Sequence, residues 1–150
     1  MKSFIGTLVF ALFLAGCAGQ ERGQETARAE SSETLDFAAL AGDWVLDSLE
    51  DEKWLGELRV TMNLSDSGRF SGSGGCNRYF GVFRLTEGTL TTGPIGSTMM
   101  ACEPAAMDLE RRYLGALEKV ARITVDDTLL HLLDEQDREL VVLRPARPGD

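Results

Sequence analysis

The chain has 150 residues and a formal net charge of −9, from 15 Lys and Arg against 24 Asp and Glu. That is one domain's worth of sequence, long enough for a core of its own. The acidity argues against nucleic acid and against a polybasic membrane patch; it would suit a cationic partner, although solubility explains it more simply.

Lys2 precedes an apolar run from Phe4 to Leu14, interrupted only by Gly6 and Thr7. The run has the length of a signal-peptide core and falls short of the roughly 20 residues a spanning helix needs. It closes on Leu14-Ala15-Gly16-Cys17, which resembles the lipobox of bacterial lipoproteins. Residues 1–16 therefore read as a lipoprotein signal peptide, with Cys17 lipidated as the first mature residue. An ordinary secreted chain with Cys at the cleavage site is the alternative. Each buried methylene of the acyl chains contributes about 0.8 kcal/mol, so several chains would anchor durably. Ala18 follows where inner-membrane retention would use Asp, so the resemblance implies the outer membrane, facing the periplasm. Residues 17–36 are polar and charged, with no large apolar side chain before Leu35, and read as a flexible tether.

The domain proper is expected over 37–145, followed by a tail at 146–150. Trp44 and Leu46 begin a loosely alternating run. Leu58, Val60, Met62 and Leu64 then alternate with Arg59, Thr61 and Asn63, the period-2 pattern of a half-buried strand. Ser65-Asp66-Ser67-Gly68 is a turn signal, and Arg69 to Ser73 can return as the second arm of a hairpin. Tyr79 to Leu85, Glu87-Gly88 and Leu90 read as a further hairpin. Ile123 to Val125, Leu129 to Leu133 and Leu140 to Leu143, separated by Asp-rich turns, complete the series. The pattern predicts a mostly β (α+β) fold, a highly twisted, barrel-like antiparallel sheet with one packed α-helix.

That helix is expected over Pro104 to Ala121, where Ala106, Met107, Glu110, Tyr113, Leu114, Leu117, Val120 and Ala121 share one side. Pro104 suits the first turn. Glu110 falls near the middle of the apolar stripe, where a carboxylate must be hydrogen-bonded or paired. The spacing predicts that it accepts from the backbone amides of the Gly-rich turn, or from Asn77 or Arg78; an acid/base role in a cleft is the rival reading.

Two segments concentrate the unusual residues. Gly72-Ser73-Gly74-Gly75-Cys76-Asn77-Arg78-Tyr79-Phe80-Gly81 carries four glycines, yet no Lys-Ser/Thr follows and the continuation reads as a strand, so it is no phosphate loop. Ser97-Thr98-Met99-Met100-Ala101-Cys102-Glu103-Pro104 leads into the helix. These two segments, with the Met107–Glu110–Tyr113-Leu114–Leu117 pattern, resemble the META domain, the family of HslJ-like heat-shock lipoproteins. The resemblance runs from about Trp44 to Leu143 and marks Gly75, Asn77, Arg78, Gly81 and Glu110 as structural motif residues. It implies a compact β-rich fold with one helix and links to stress tolerance, antibiotic sensitivity and, in some parasites, virulence or motility. It supplies no catalytic residues.

With Cys17 lipidated, Cys76 and Cys102 remain, an even number in an oxidising compartment. A disulfide between them would close a loop of about 27 residues, worth roughly 3.5 kcal/mol in the chain-entropy model. A metal site lacks ligands, because the chain has one His and neither Cys belongs to a Cys-x-x-Cys pair. A redox-active pair and a buried adjacent pair stay open; Cys102 lies near a helix start, which can lower a thiol pKa. His131, between leucines, carries no accompanying Ser or Asp motif and receives no role. Met99 and Met100 read first as core filling and second as an exposed surface for a partner.

The expected function is that of a non-enzymatic, membrane-anchored lipoprotein of the bacterial envelope, without cofactor or metal, contributing to envelope integrity or stress and antibiotic tolerance by binding. Two alternatives stand beside it: inhibition of a cationic envelope hydrolase such as a lysozyme, and carriage of a small apolar ligand in a barrel. A monomer is expected, whose partner is an unknown protein or a small apolar molecule.

Overall fold

The computed structural model describes residues 35–149 apart from Gly88 and Asp127. The signal peptide, Cys17 and nearly all of the tether lie outside the described residues, as do parts of the Glu87-Gly88 and Asp126-Asp127 turns.

A one-turn helix α1 (Phe37–Leu40), capped by the Asp36 side chain, leads into strands β1 (Gly42–Leu49), β2 (Glu52–Lys53), β3 (Thr61–Leu64), β4 (Arg69–Ser73), β5 (Arg78–Thr86), β6 (Thr89–Thr92) and β7 (Gly96–Ser97). Helix α2 (Pro104–Leu117) and strands β8 (Arg122–Asp126), β9 (Leu129–Leu133) and β10 (Glu139–Pro145) follow. The strands form one antiparallel sheet in the order β6-β5-β4-β3-β1-β10-β9-β8, with β2 added to β1 and β7 to β5. The first and last long strands are thus neighbours, with Trp44 opposite Pro145 and Leu49 opposite Val141. The result is a nearly closed, barrel-like sheet.

Alternation sets the faces. Met62, Leu64, Phe70, Tyr79, Phe83, Leu130 and Leu132 point inward and are buried, whereas Asn63, Arg69, Ser71 and Phe80 point out. Strand β10 departs from the pattern, with Leu140 to Leu143 all buried. Register shifts between Glu139 and Val141 against β9, and between Leu46 and Ser48 on β1, turn successive side chains the same way.

Helix α2 ends at Leu117, four residues short of the sequence expectation. Glu118 and Lys119 form a turn, and Ala121 N–H bonds to the Leu133 carbonyl at 2.8 Å, drawing the chain into the sheet. The helix buries Ala106, Leu109, Tyr113, Ala116 and Leu117. Its buried stripe is rotated from the one expected: Met107 is exposed, and Glu110 sits roughly 65° from the stripe's centre, at its edge. The sheet ends β6 and β8 do not pair with each other. Thr92 Oγ1 of β6 donates to the Leu117 carbonyl at 2.9 Å, which ties the end of α2 to one side of the seam that strand pairing leaves open.

The interior is filled by side chains. Phe70 stacks against Phe83 (ring centroids 4.4 Å apart), and Tyr79 meets Tyr113 edge-on at 5.5 Å. Tyr79 Oη donates to the Thr61 carbonyl at 2.8 Å, which uses its one proton; Tyr113 therefore donates to Tyr79, 2.9 Å away. Burial pushes both phenols above their usual range. At Gly72 a Cβ would stand 2.0 Å from the Thr61 carbonyl oxygen, and at Gly81 one would stand 2.4 Å from the Phe70 ring, so only glycine admits this packing.

Candidate functional site

Asn77 is the centre of the most connected polar group in the described residues. It is only 6% exposed and sits where the Gly-rich loop enters β5. Its backbone N–H donates to Glu110 Oε2 by a short hydrogen bond, and its Nδ2 donates to Glu110 Oε1 at 2.9 Å. Its Oδ1 accepts from Met100 N–H at 2.7 Å and from Thr98 Oγ1 at 2.9 Å. Its carbonyl accepts from Gly74 N–H at 2.9 Å. One side chain thus ties the loop, the helix and the segment before the helix together.

The backbone permits this approach locally. Gly75 has φ +106°, a left-handed conformation favouring glycine, and Leu109 Cδ2 would lie 3.2 Å from a Cβ there. At Gly74 a Cβ would be 2.9 Å from Glu110 Cγ. The glycines let the helix carboxylate reach the loop amides. Beside them Cys76 and Cys102 form a disulfide, with Cα atoms 5.9 Å apart. Thr98 adds two more ties, accepting from Arg78 N–H at its Oγ1 (3.2 Å) and donating its own N–H to the Arg78 carbonyl (2.9 Å).

Of the residues marked by sequence, Gly75, Asn77, Glu110, Cys76 and Cys102 meet in this clasp. Gly81 serves the Phe70 packing instead. Arg78 contributes only its backbone, and its exposed side chain lies on the outer sheet face, away from Glu110. Met99 and Met100 are not core residues: they are 97% and 58% exposed. Asn77 and the disulfide hold their segment by its backbone, which turns both side chains outward. Thr98 and the Tyr79–Tyr113 pair were missed as partners; Thr98 stands inside the quoted Ser-Thr-Met-Met segment, but nothing in its spacing reveals a hydrogen bond to a residue twenty positions earlier.

A second polar cluster surrounds His131 on the other side of the sheet order. Its Nδ1 lies 2.7 Å from Glu139 and its Nε2 2.9 Å from Asp126. Partial burial pushes the imidazole pKa down, but hydrogen bonds to Asp126 and Glu139 outweigh it and hold the ring above its ordinary 6.5. Among the described residues no group of three His, Cys, Asp or Glu side chains is arranged to hold a metal ion.

A small, nearly closed antiparallel sheet with a packed helix, clasped to a Gly-rich loop by a disulfide and an Asn–Glu pair, defines a structural class. The META domain model matches residues 36–147, and the chain belongs to the META domain family. It is similar to a protein from Burkholderia xenovorans solved by NMR, at 27% identity and TM-score 0.57 over 74% of this chain and 87% of that one. The fold is shared by a DUF4847 family protein from Bacteroides vulgatus, at 12% identity and TM-score 0.54 over 75% of this chain and 96% of that one. No curated protein matches the chain.

Proposed function

We propose that the protein is a non-enzymatic binding module, anchored through Cys17 to the bacterial outer membrane and facing the periplasm, that supports envelope integrity under stress or antibiotic challenge. The clasp is the observation that carries this reading. The Asn77 amide, the Glu110 carboxylate and both cysteines are committed to one another, so the marked residues act as scaffold rather than as reagents. What the clasp presents is surface: Met99 and Met100 held outward beside a disulfide that suits an oxidising compartment. Deleting the gene and challenging cells with heat and a bulky hydrophobic antibiotic tests it. Survival should fall, and Cys17→Ala should reproduce the loss by releasing the protein from the membrane; wild-type survival on both challenges would refute the role.

The net charge of −9 favours one second reading, inhibition of a cationic envelope hydrolase. Full lysozyme activity at excess purified protein would remove it. The filled interior, with Phe70, Tyr79, Phe83 and Tyr113 all buried, weighs against the apolar carrier.

A further inference from the structure

The outer face of β1, β3, β4 and β5 forms a groove of about 570 Å³ that the clasp does not use. Its geometry follows from strand register. Asp43, Asn63, Ser71 and Phe80 are successive cross-strand neighbours and form one row. Thr61 and Asn63 share a face at period 2, as do Arg78 and Phe80, and Arg59, just before β3, lines the same groove. Small polar side chains therefore floor the groove, while an aromatic ring and guanidinium groups stand around it. Phe80 is 63% exposed, and its ring rests on Gly96, where a Cβ would be 2.5 Å from Cζ. An exposed aromatic face on a sheet offers a ligand apolar area to remove from water.

Arg59 and Arg78 are exposed and line the same groove, and neither has a carboxylate partner among the described residues. On a chain of net charge −9 this is a local reversal of sign. Asp43 also lines the groove, with Asn63 Nδ2 donating to it at 2.9 Å, which limits how much negative charge the site tolerates. Singly charged carboxylates, spaced apart and each accepting from a guanidinium fork, suit it better than dianionic phosphates. The row from Asp43 to Phe80 crosses three strand spacings, about 14 Å, the length of roughly three pyranose rings. Pyranose rings present a C–H face to an aromatic ring and hydroxyls to Ser and Asn side chains.

We propose that this groove binds a carboxylated glycan of the cell wall, with Phe80 stacking on a sugar ring and Arg59 and Arg78 taking carboxylates. The choice of wall glycan rests on the envelope reading above; the groove's chemistry does not. The test is calorimetric titration of the full-length protein in detergent micelles. The probes are a tetrasaccharide of alternating N-acetylglucosamine and N-acetylmuramic acid with free lactyl carboxylates, chitotetraose as its uncharged counterpart, and an oligoglutamate peptide. The muramyl tetrasaccharide should bind, chitotetraose about tenfold more weakly or worse, and R59Q, R78Q and F80S should each lower affinity about tenfold. All three residues are exposed, so the variants should melt with the parent; R59Q, outside any strand, keeps the test sound if a strand variant does not. No binding of the tetrasaccharide, equal binding of chitotetraose, tighter binding of the peptide, or unchanged affinity in F80S would each overturn the proposal. Sensitivity of the deletion strain together with failed glycan binding would sink the groove and leave the envelope role standing; glycan binding with wild-type survival would do the reverse.

Discussion

Replacing Glu110 tests the clasp most directly. Its carboxylate accepts two hydrogen bonds from Asn77, one from the backbone and one from the side-chain amide. Hydrogen bonds to a charged group contribute about 1.5–3 kcal/mol each, and the partial exposure of Glu110 places these near the lower end. Glu110→Ala removes both and leaves the Asn77 N–H without an acceptor, so the loss should be about 3 kcal/mol. Glu110→Gln keeps one acceptor but turns an NH2 toward the other Asn77 donor, and should lose about half as much. For a domain of this size each kcal/mol shifts the midpoint by about 4 °C, giving decreases of about 12 °C and 6 °C. Thermal melting followed by circular dichroism, with the disulfide intact, reads both. The Asn77→Ala, Glu110→Ala double-mutant cycle isolates the side-chain amide bond, because Asn77→Ala keeps the backbone N–H, and its coupling should be about 1 kcal/mol. Melting of either Glu110 variant within about 2 °C of wild type, or simple additivity in the cycle, would refute the reasoning.

Three further outcomes are expected. Cys76→Ser should destabilise by about 3.5 kcal/mol, since the bridge spans a sequence separation of 26; reductant should lower the wild-type midpoint to the variant's and leave the variant unmoved, and a wild type indifferent to reductant would contradict this. Gly72→Ala places a methyl 2.0 Å from the Thr61 carbonyl oxygen and should cost more than any other glycine-to-alanine change in β4 or β5, read as loss of soluble folded protein or the largest midpoint drop. A His131 pKa held above 6.5 in the fold means that its stabilisation is full below the unfolded value and fades as pH rises through the folded one. Wild-type stability should therefore decline from mildly acidic to mildly alkaline pH relative to His131→Gln; parallel profiles would remove the Asp126 and Glu139 contribution.

Much of the architecture was legible because period-2 alternation is a direct print of a half-buried strand. The Leu58 to Leu64 run shows it plainly and yields its last four residues to β3, whereas Leu129 to Leu133, four leucines around His131, alternates in burial but not in residue type. The short strands β2 and β7 were missed because two residues carry no period. Helix α2 was placed by its stripe but extended too far: Val120 and Ala121 continue the apolar spacing although they are already turning back toward the sheet. The same ambiguity misplaced Met107 and Glu110 around the helix axis. At the site, the sequence marked Gly75, Asn77 and Glu110, whereas the outward turn of Met99 and Met100 depends on hydrogen bonds to the backbones of Thr98 and Met100, which side-chain identity does not encode. The groove was hidden for a related reason. Arg59, Arg78 and Phe80 come together only through the register of separate strands.

The pairing of β1 with β10 has a consequence for how the molecule is made. Those strands stand at opposite ends of the domain in sequence yet at adjacent positions in the middle of the sheet. The edges of β1 and β9 stay unpaired until Glu139–Pro145 is available, so the most non-local strand pairing of the sheet, a kind that forms slowly, waits on its last strand. A chain still growing, or one cut before β10, leaves the edges of β1 and β9 open to other strands. By its position between β1 and β9, the final strand is the latch of the sheet.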